Sequence, residues 1–335
     1  MNTERTLRNG GVGKRIAKEY KTELSMLAIF AVLFVVLTFA SPYFFTAKNI
    51  MNVMSQVSST ALLAIGMTIV IITSGIDLSV GANLGLCGMV GCMVLMNTGN
   101  VFLGVLVILV IGMLVGLVNG VLIGYLQLPA FIVTLGTMQI CRSLDYVISN
   151  ANTASKFPEI YGFLGKGKIG GTFPVYILFI FGMFAIFIWI MGKTKFGRFL
   201  YAIGSNAESA RLTGINVKFN VMIAYVISGL MCGMAAWIMT SRLMACDATY
   251  GDGMEMDAIA AAVIGGTSMS GGKGTLWGTI IGVFLVGFLR NALNILGVNP
   301  YWQGTAIGAV IVVAVLAEKL SKLRVKKAKR QKEEK

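Results

Sequence analysis

Ten apolar runs divide the chain, at residues 24–43, 57–73, 80–96, 102–124, 130–149, 174–191, 219–240, 257–269, 275–297 and 301–318. Most approach the ~20 residues that an α-helix needs to cross a bilayer. Only 13% of residues are charged, where soluble domains average about 25%. The expected fold class is therefore an all-α polytopic membrane protein with about ten transmembrane helices. A basic segment at 1–23 and a basic tail at 319–335 flank the transmembrane domain at 24–318. The first run follows more than 20 polar residues. That lead is too long for an ordinary secretory signal, so a retained span is expected.

The formal net charge is +14, and its placement matters more than its size. Six basic residues lie in the first 21 positions, and nine more lie from Lys319 to Lys335. Loop 193–218 carries Lys193, Lys195, Arg198, Arg211 and Lys218 against Glu208 alone. Basic residues collect on the cytoplasmic side of membrane proteins. An even number of crossings places both termini and this loop there. The loop after the seventh run instead carries Asp247, Asp252, Glu255 and Asp257 against Arg242, as an external loop would. No basic patch forms a nucleic-acid-binding module, so lipid rather than nucleic acid is the expected surrounding.

The chain has no histidine, which excludes a Ser-His-Asp triad. Cys87, Cys92, Cys141, Cys232 and Cys246 form no CxxC pair, so no metal site is expected. Glycine is abundant, and Gly112, Gly116, Gly120 and Gly124 recur every fourth residue on one face of the fourth run. Such a face lets helix backbones approach closely in lipid. Tight packing inside the chain is expected from it rather than dimerisation.

The run GMTIVIITSGIDLSVGANLG, residues 66–85, places Asp77 among apolar residues. A carboxylate at bilayer depth costs roughly 2.5–3.5 kcal/mol on insertion scales. Gly75, Ser79 and Gly81 around it indicate a break in a helix. Asp77 there either caps the following span by accepting its free amides or acts directly in transport. A shift of 191 positions superposes Gly75, Ser79 and Gly81 on Gly266, Ser270 and Gly272, within GTSMSGG. Paired glycine-interrupted segments point to a translocation site. The tail GGKGT of the second stretch resembles a phosphate loop. Thr267 and Gly274 occupy the places where a Walker motif requires glycine and Ser or Thr, so no nucleotide site is expected.

Loop 193–218 holds a soluble signal. Ser205 and Glu208 have capping-box spacing, so a helix of about two turns is expected from Asn206, ending at Gly214. A helix that short needs a partner surface to stay ordered.

GMTIVIITSGIDLSVGA resembles the signature of the ribose-type permeases of bacterial ABC importers. GSNAESARLTGINV, MDAIAAAVIGGTSMSGGKGTLWGTIIG and GVNPYWQ resemble further signatures of that family, in the same order, over residues 48 to 318. The resemblance implies a permease dimer, of identical or related chains. It also implies two ATP-hydrolysing partner subunits that carry ATP and Mg, and an external sugar-binding protein. This chain is then no enzyme and binds no cofactor. Gly75, Asp77 and Ser79 carry over as the first signature, and Gly265, Gly266, Ser270 and Gly272 as the later one. Ser205, Asn206, Ala207, Glu208, Ala210, Arg211, Leu212 and Gly214 would form the coupling helix on the ATPase, with Ala207, Ala210 and Leu212 as its contacts. The implied cargo is a monosaccharide. A polyol, a nucleoside or a signalling furanose are the alternatives within the family. Outside it stands an ion-coupled secondary transporter using Asp77.

Two charged features remain within the spans. Arg142 and Asp145 lie three apart, a spacing at which they would neutralise each other. Arg290 sits in the ninth run with Asn291 and Asn294.

Overall fold

The computed structural model describes residues 41–171, 173–299 and 301–313, together with Ala31, Phe34, Val35, Thr38, Phe39 and Leu316. Most of the first expected span, the end of the last, and both basic terminal segments lie outside the described residues. The described helices are α1 (Ala47–Ile72), α2 (Val80–Thr98), α3 (Val101–Gly124), α4 (Ala130–Ser149), α5 (Phe163–Lys166) and α6 (Val175–Lys193). They continue as α7 (Lys195–Ser205), α8 (Ala207–Leu212), α9 (Val217–Leu243), α10 (Met254–Ile264) and α11 (Leu276–Ile295), with α12 at Tyr301–Val313. Side-chain oxygens start several of them: Thr46, Asn100, Asn216 and Thr275 each accept the amide three residues on.

Six helices, α1, α2, α3, α6, α9 and α11, are long and apolar enough to cross a membrane. α4 has the expected bounds but carries Gln139, Arg142 and Asp145 and is not among the six. Two expected bounds need correction. The run at 57–73 belongs to a helix that begins at Ala47. Its polar first half is accommodated by burial with a partner, since the Asn49 and Asn291 carboxamides exchange hydrogen bonds at 2.9 Å. The run at 257–269 is helical only in part, on the stretch that returns the chain from the end of α9 to the start of α11, both of which run antiparallel to α1. Its helix, α10, has 11 residues, about 17 Å of rise against a ~30 Å hydrocarbon layer.

α1 is the central helix, with 89% of its apolar window buried. It runs antiparallel to α9, where Ser59 Oγ donates to the Ala235 carbonyl at 3.1 Å and Gly66 faces Ser228 and Met231. It also lies antiparallel to α11, where Thr68 and Thr279 hydroxyls meet at 2.7 Å and Val57 packs on Gly287. α3 packs on the far side of α9. Its glycine face is the reason: Gly112, Gly116, Gly120 and Gly124 all abut the α9 backbone, between Lys218 and Gly233. The glycine spacing therefore serves packing within the chain, as expected. The opposite face of α3 is exposed, leaving only 22% of its window buried.

Four two-residue strands occur among the described residues: β1 (Ala154–Ser155), β2 (Lys168–Ile169), β3 (Phe173–Pro174) and β4 (Ala245–Cys246). β1 pairs antiparallel with β4, setting Ala154 opposite Cys246, and joins the segment after α4 to the end of α9. The other pair, β2–β3, is a local hairpin.

Candidate functional site: two helix breaks beside a short capped helix

The chain leaves helical geometry after Ile72 and re-enters it at Val80. Asp77 lies in this break and is 2% exposed. One carboxylate oxygen accepts the Ser79 amide at 3.1 Å and the Ser79 hydroxyl at 2.6 Å; the other accepts the Ser228 hydroxyl of α9 at 2.8 Å. Asp77 thus closes a turn ahead of α2 and ties it to α9. It does not accept the amides of the α2 first turn, because Ser79 stands between it and Val80 as the N-cap, and the Ser79 side chain makes no capping bond.

The network extends to two more helices. Asn119 of α3 donates to Ser79 Oγ at 2.9 Å and accepts from Thr137 of α4 at 2.6 Å. Tyr225 donates to the Ile76 carbonyl at 3.2 Å, and its hydroxyl occupies the space that a side chain at Gly75 would need. Ser228, Asn119, Thr137 and Tyr225 were not singled out from the sequence. The available signal was one polar residue apiece in an apolar run, which does not distinguish a partner of Asp77 from any other buried hydroxyl or amide. Gly81 leaves room for the Gly251 carbonyl and the Glu255 carboxylate, bringing the start of α10 against α2.

The second break, residues 265–275, separates α10 from α11. Gly265 packs on Gly278. The Gly272 amide donates to the Ile72 carbonyl at 2.9 Å, with Gly272 at φ +69°, a conformation that favours glycine. Ser74 Oγ is shared between the carbonyls of Ser270, at 3.1 Å, and Gly204, at 3.2 Å. Tyr201 donates to the Gly274 carbonyl at 2.8 Å. The two breaks therefore meet each other, and the end of α7 meets both.

α8 follows directly, and its cap is one residue later than the capping-box spacing indicates. α7 continues through Ser205, whose hydroxyl donates to the Tyr201 carbonyl at 2.9 Å. Asn206 is extended and accepts the Ser209 amide at 2.8 Å, making it the N-cap. Glu208 pairs instead with Arg211, at 2.6 Å and 3.0 Å. That guanidinium holds the exposed Glu208 carboxyl below its ordinary range. Gly214, at φ +84°, comes just after the helix. Ala207 and Leu212 are exposed, Leu212 at 74%, but Ala210 is 4% exposed and faces inward, so it is no surface contact. Replacing Asn206 with Ala should cost α8 about 1 kcal/mol. Amide exchange across 207–212 should quicken accordingly, with Ser205→Ala close to wild type.

A cavity of about 500 Å³ separates α8 from the first break, lined by Ser74, Gly75, Gln127, Ala207, Arg211 and Tyr225 among others. Arg142 and Asp145 do not pair. Arg142 donates to the Ala248 and Tyr250 carbonyls, at 2.7 Å and 3.0 Å, and lies 3.9 Å from Asp252. Asp145 is fully buried, and neither carboxylate oxygen has a hydrogen-bond partner among the described residues. Loop 247–253 drops beside α4 and takes the arginine away. Arg290 pairs with Asp257 of α10 at 2.7 Å rather than with the asparagines beside it. Among the described residues, no group of three or more Cys, Asp or Glu could hold a metal ion.

The family model described as "Branched-chain amino acid transport system / permease component" matches residues 49–315. The chain is 39% identical over 313 residues to the ribose import permease protein RbsC of Escherichia coli K12, covering 91% of this chain and 97% of that one. It is 38% identical to the D-allose transport system permease protein AlsC of the same organism, over 87% and 90% of the two chains. With the galactose/methyl galactoside import permease protein MglC it shares 33% identity over 94% and 99%. No solved structure matches it. The chain therefore belongs to the family of branched-chain amino acid transport system permease components, in which the ribose, allose and galactose permeases are its relatives.

Proposed function

We propose that this chain is the permease subunit of an ATP-binding-cassette importer, carrying a monosaccharide into the cell from an extracytoplasmic binding protein. The observation that carries this reading is identity along nearly the whole chain to permeases named for three different sugars. ATP and Mg belong on a partner ATPase, and this chain performs no hydrolysis. A second permease copy pairs with it in a bacterial inner membrane, and lipid surrounds the pair.

The structure supports three parts of the reading. First, α4 exposes Gln139, Ser143 and Tyr146, with Asn150 at its end, at helical spacing on one face. Polar uncharged groups on a membrane helix suit sugar hydroxyls, and a second copy facing them would enclose a path. Second, α8 presents Ala207, Arg211 and Leu212 outward, as a docking helix for the ATPase should. Third, Asp77 is sealed by three donors, which favours a structural role over ion coupling.

Uptake into vesicles should require the ATPase and ATP and should survive collapse of the proton gradient. Accumulation of sugar on a proton gradient alone would overturn the assignment. Leu212→Glu should leave expression unchanged and reduce ATPase copurification at least tenfold. Unchanged attachment with Leu212→Glu and Ala207→Glu together would remove α8 from the coupling role. Both termini and α8 are placed in the cytoplasm. All five cysteines are buried, so single cysteines at the exposed positions Ser205 and Thr249 should label from opposite sides.

A further inference from the structure

A cavity of about 280 Å³ lies between α1, α9, α10, α11 and α12, lined by Gln56, Thr60, Arg242, Asp257, Arg290 and Gln303 among others. It is separate from the helix breaks. Arg242 is in the last turn of α9 beside β4, so the cavity sits at the opposite end of the bundle from α8. Three charged side chains face it, and they do not balance. Asp257 and Arg290 neutralise each other at 2.7 Å. Arg242 donates to the carbonyl and hydroxyl of Ser55, both uncharged acceptors, and forms no ion pair among the described residues. Arg290 Nε is buried without an acceptor among the described residues.

One uncompensated positive charge and one orphaned N–H therefore share a single cavity. Leaving a partly buried guanidinium unneutralised is costly, and a buried donor without an acceptor adds to that cost. A neutral polyol could supply an acceptor but would leave the charge. A cation would worsen the imbalance, and a dianion would reverse it. The matching ligand carries one negative charge spread over several oxygens, which guanidinium forks recognise well. We propose that Arg242 and Arg290 together hold one monovalent phosphate-type oxyanion in this cavity. The group could be a phospholipid headgroup or a soluble phosphate.

The test uses the full chain, purified and delipidated in a neutral maltoside detergent. One arm adds phosphatidylglycerol, with diacylglycerol of the same acyl chains as control, and counts bound lipid by native mass spectrometry. The other arm adds sodium phosphate at pH 6, with sodium chloride of equal ionic strength as control, and reads the melting temperature. At least one anion should bind beyond its control, and Arg242→Gln should weaken that binding at least tenfold. Lipid binding without phosphate binding identifies the headgroup as the source; binding in the phosphate arm identifies the free ion. The proposal fails if neither anion exceeds its control on the wild-type chain. It also fails if folded Arg242→Gln and Arg290→Gln both bind as wild type does. If Arg242→Gln does not fold, the wild-type comparison and Arg290→Gln decide.

Discussion

Asp77→Leu should abolish accumulation of folded protein, whereas Asp77→Asn should yield nearly wild-type amounts. Leucine would leave the Ser79 amide, the Ser79 hydroxyl and the Ser228 hydroxyl without their acceptor in a site closed to water. Each buried group so orphaned costs about 1–3 kcal/mol. Three together approach the whole stability of an average domain, about 5–15 kcal/mol. Asparagine keeps one oxygen for Ser79 and turns its amide toward Ser228, whose hydroxyl can accept as well as donate. It also removes the cost of a buried charge. Yield and melting temperature in detergent measure the first part. Sugar uptake by Asp77→Asn measures the second, and normal uptake is expected from a structural carboxylate. Wild-type yield from Asp77→Leu would show that the network does not hold the break together.

The other large effect is expected at Gly229. A side chain there would strike the backbone of Gly112 and Gly116 on α3, and neither helix has a flexible group to move aside. Overpacking of side chains costs typically 1–3 kcal/mol; contact between two backbones allows less relief, so Gly229→Val should cost more than about 4 kcal/mol. Loss of the monodisperse peak in size-exclusion chromatography is the expected result. Gly136→Ala and Gly182→Ala provide the contrast. Nothing lies within 4 Å of a Cβ at either position, so both should behave as wild type.

These two sites differ in how far the sequence revealed them. The glycine face of α3 was legible because close approach requires the same residue at every turn, and a repeated requirement leaves a pattern. Asp77 was legible because a carboxylate in an apolar run is expensive. Its partners were not, since Ser228 and Asn119 are single polar residues with nothing periodic about them. Local spacing misled in two places. Arg142 and Asp145 have the separation of a helical ion pair, but loop 247–253 supplies the acceptors that Arg142 takes. Ser205 and Glu208 have the spacing of a capping box, but α7 extends through Ser205 and moves the cap to Asn206. A tertiary neighbour in the first case, and in the second the local bonds of Ser205 to Tyr201 and of Asn206 to Ser209, outcompeted a contact worth only a few tenths of a kcal/mol to about 1 kcal/mol. The run at 257–269 reads as one continuous helix because apolar composition cannot tell a full-length helix from a short one followed by a break.

The contrast between α1 and α3 bears on biogenesis. α3 has a mean hydropathy of 3.2 over its apolar window and is mostly exposed; α1 scores 1.8 and is enclosed. A nascent α3 can leave the translocon for lipid unaided, because its outer face is already suited to acyl chains. A nascent α1 brings Asn49, Ser58, Ser59, Thr60 and Thr68. Asn49 has a local acceptor in the Phe44 carbonyl, but its bonds to Asn291 and those of Ser59 to Ala235 and Thr68 to Thr279 form only once α9 and α11 have been made. Among the described membrane helices the ribosome delivers α1 first and its enclosure last. Until synthesis is nearly finished, the most central helix is the least suited to the bilayer, and it is the segment on which a membrane insertase or quality-control protease would act.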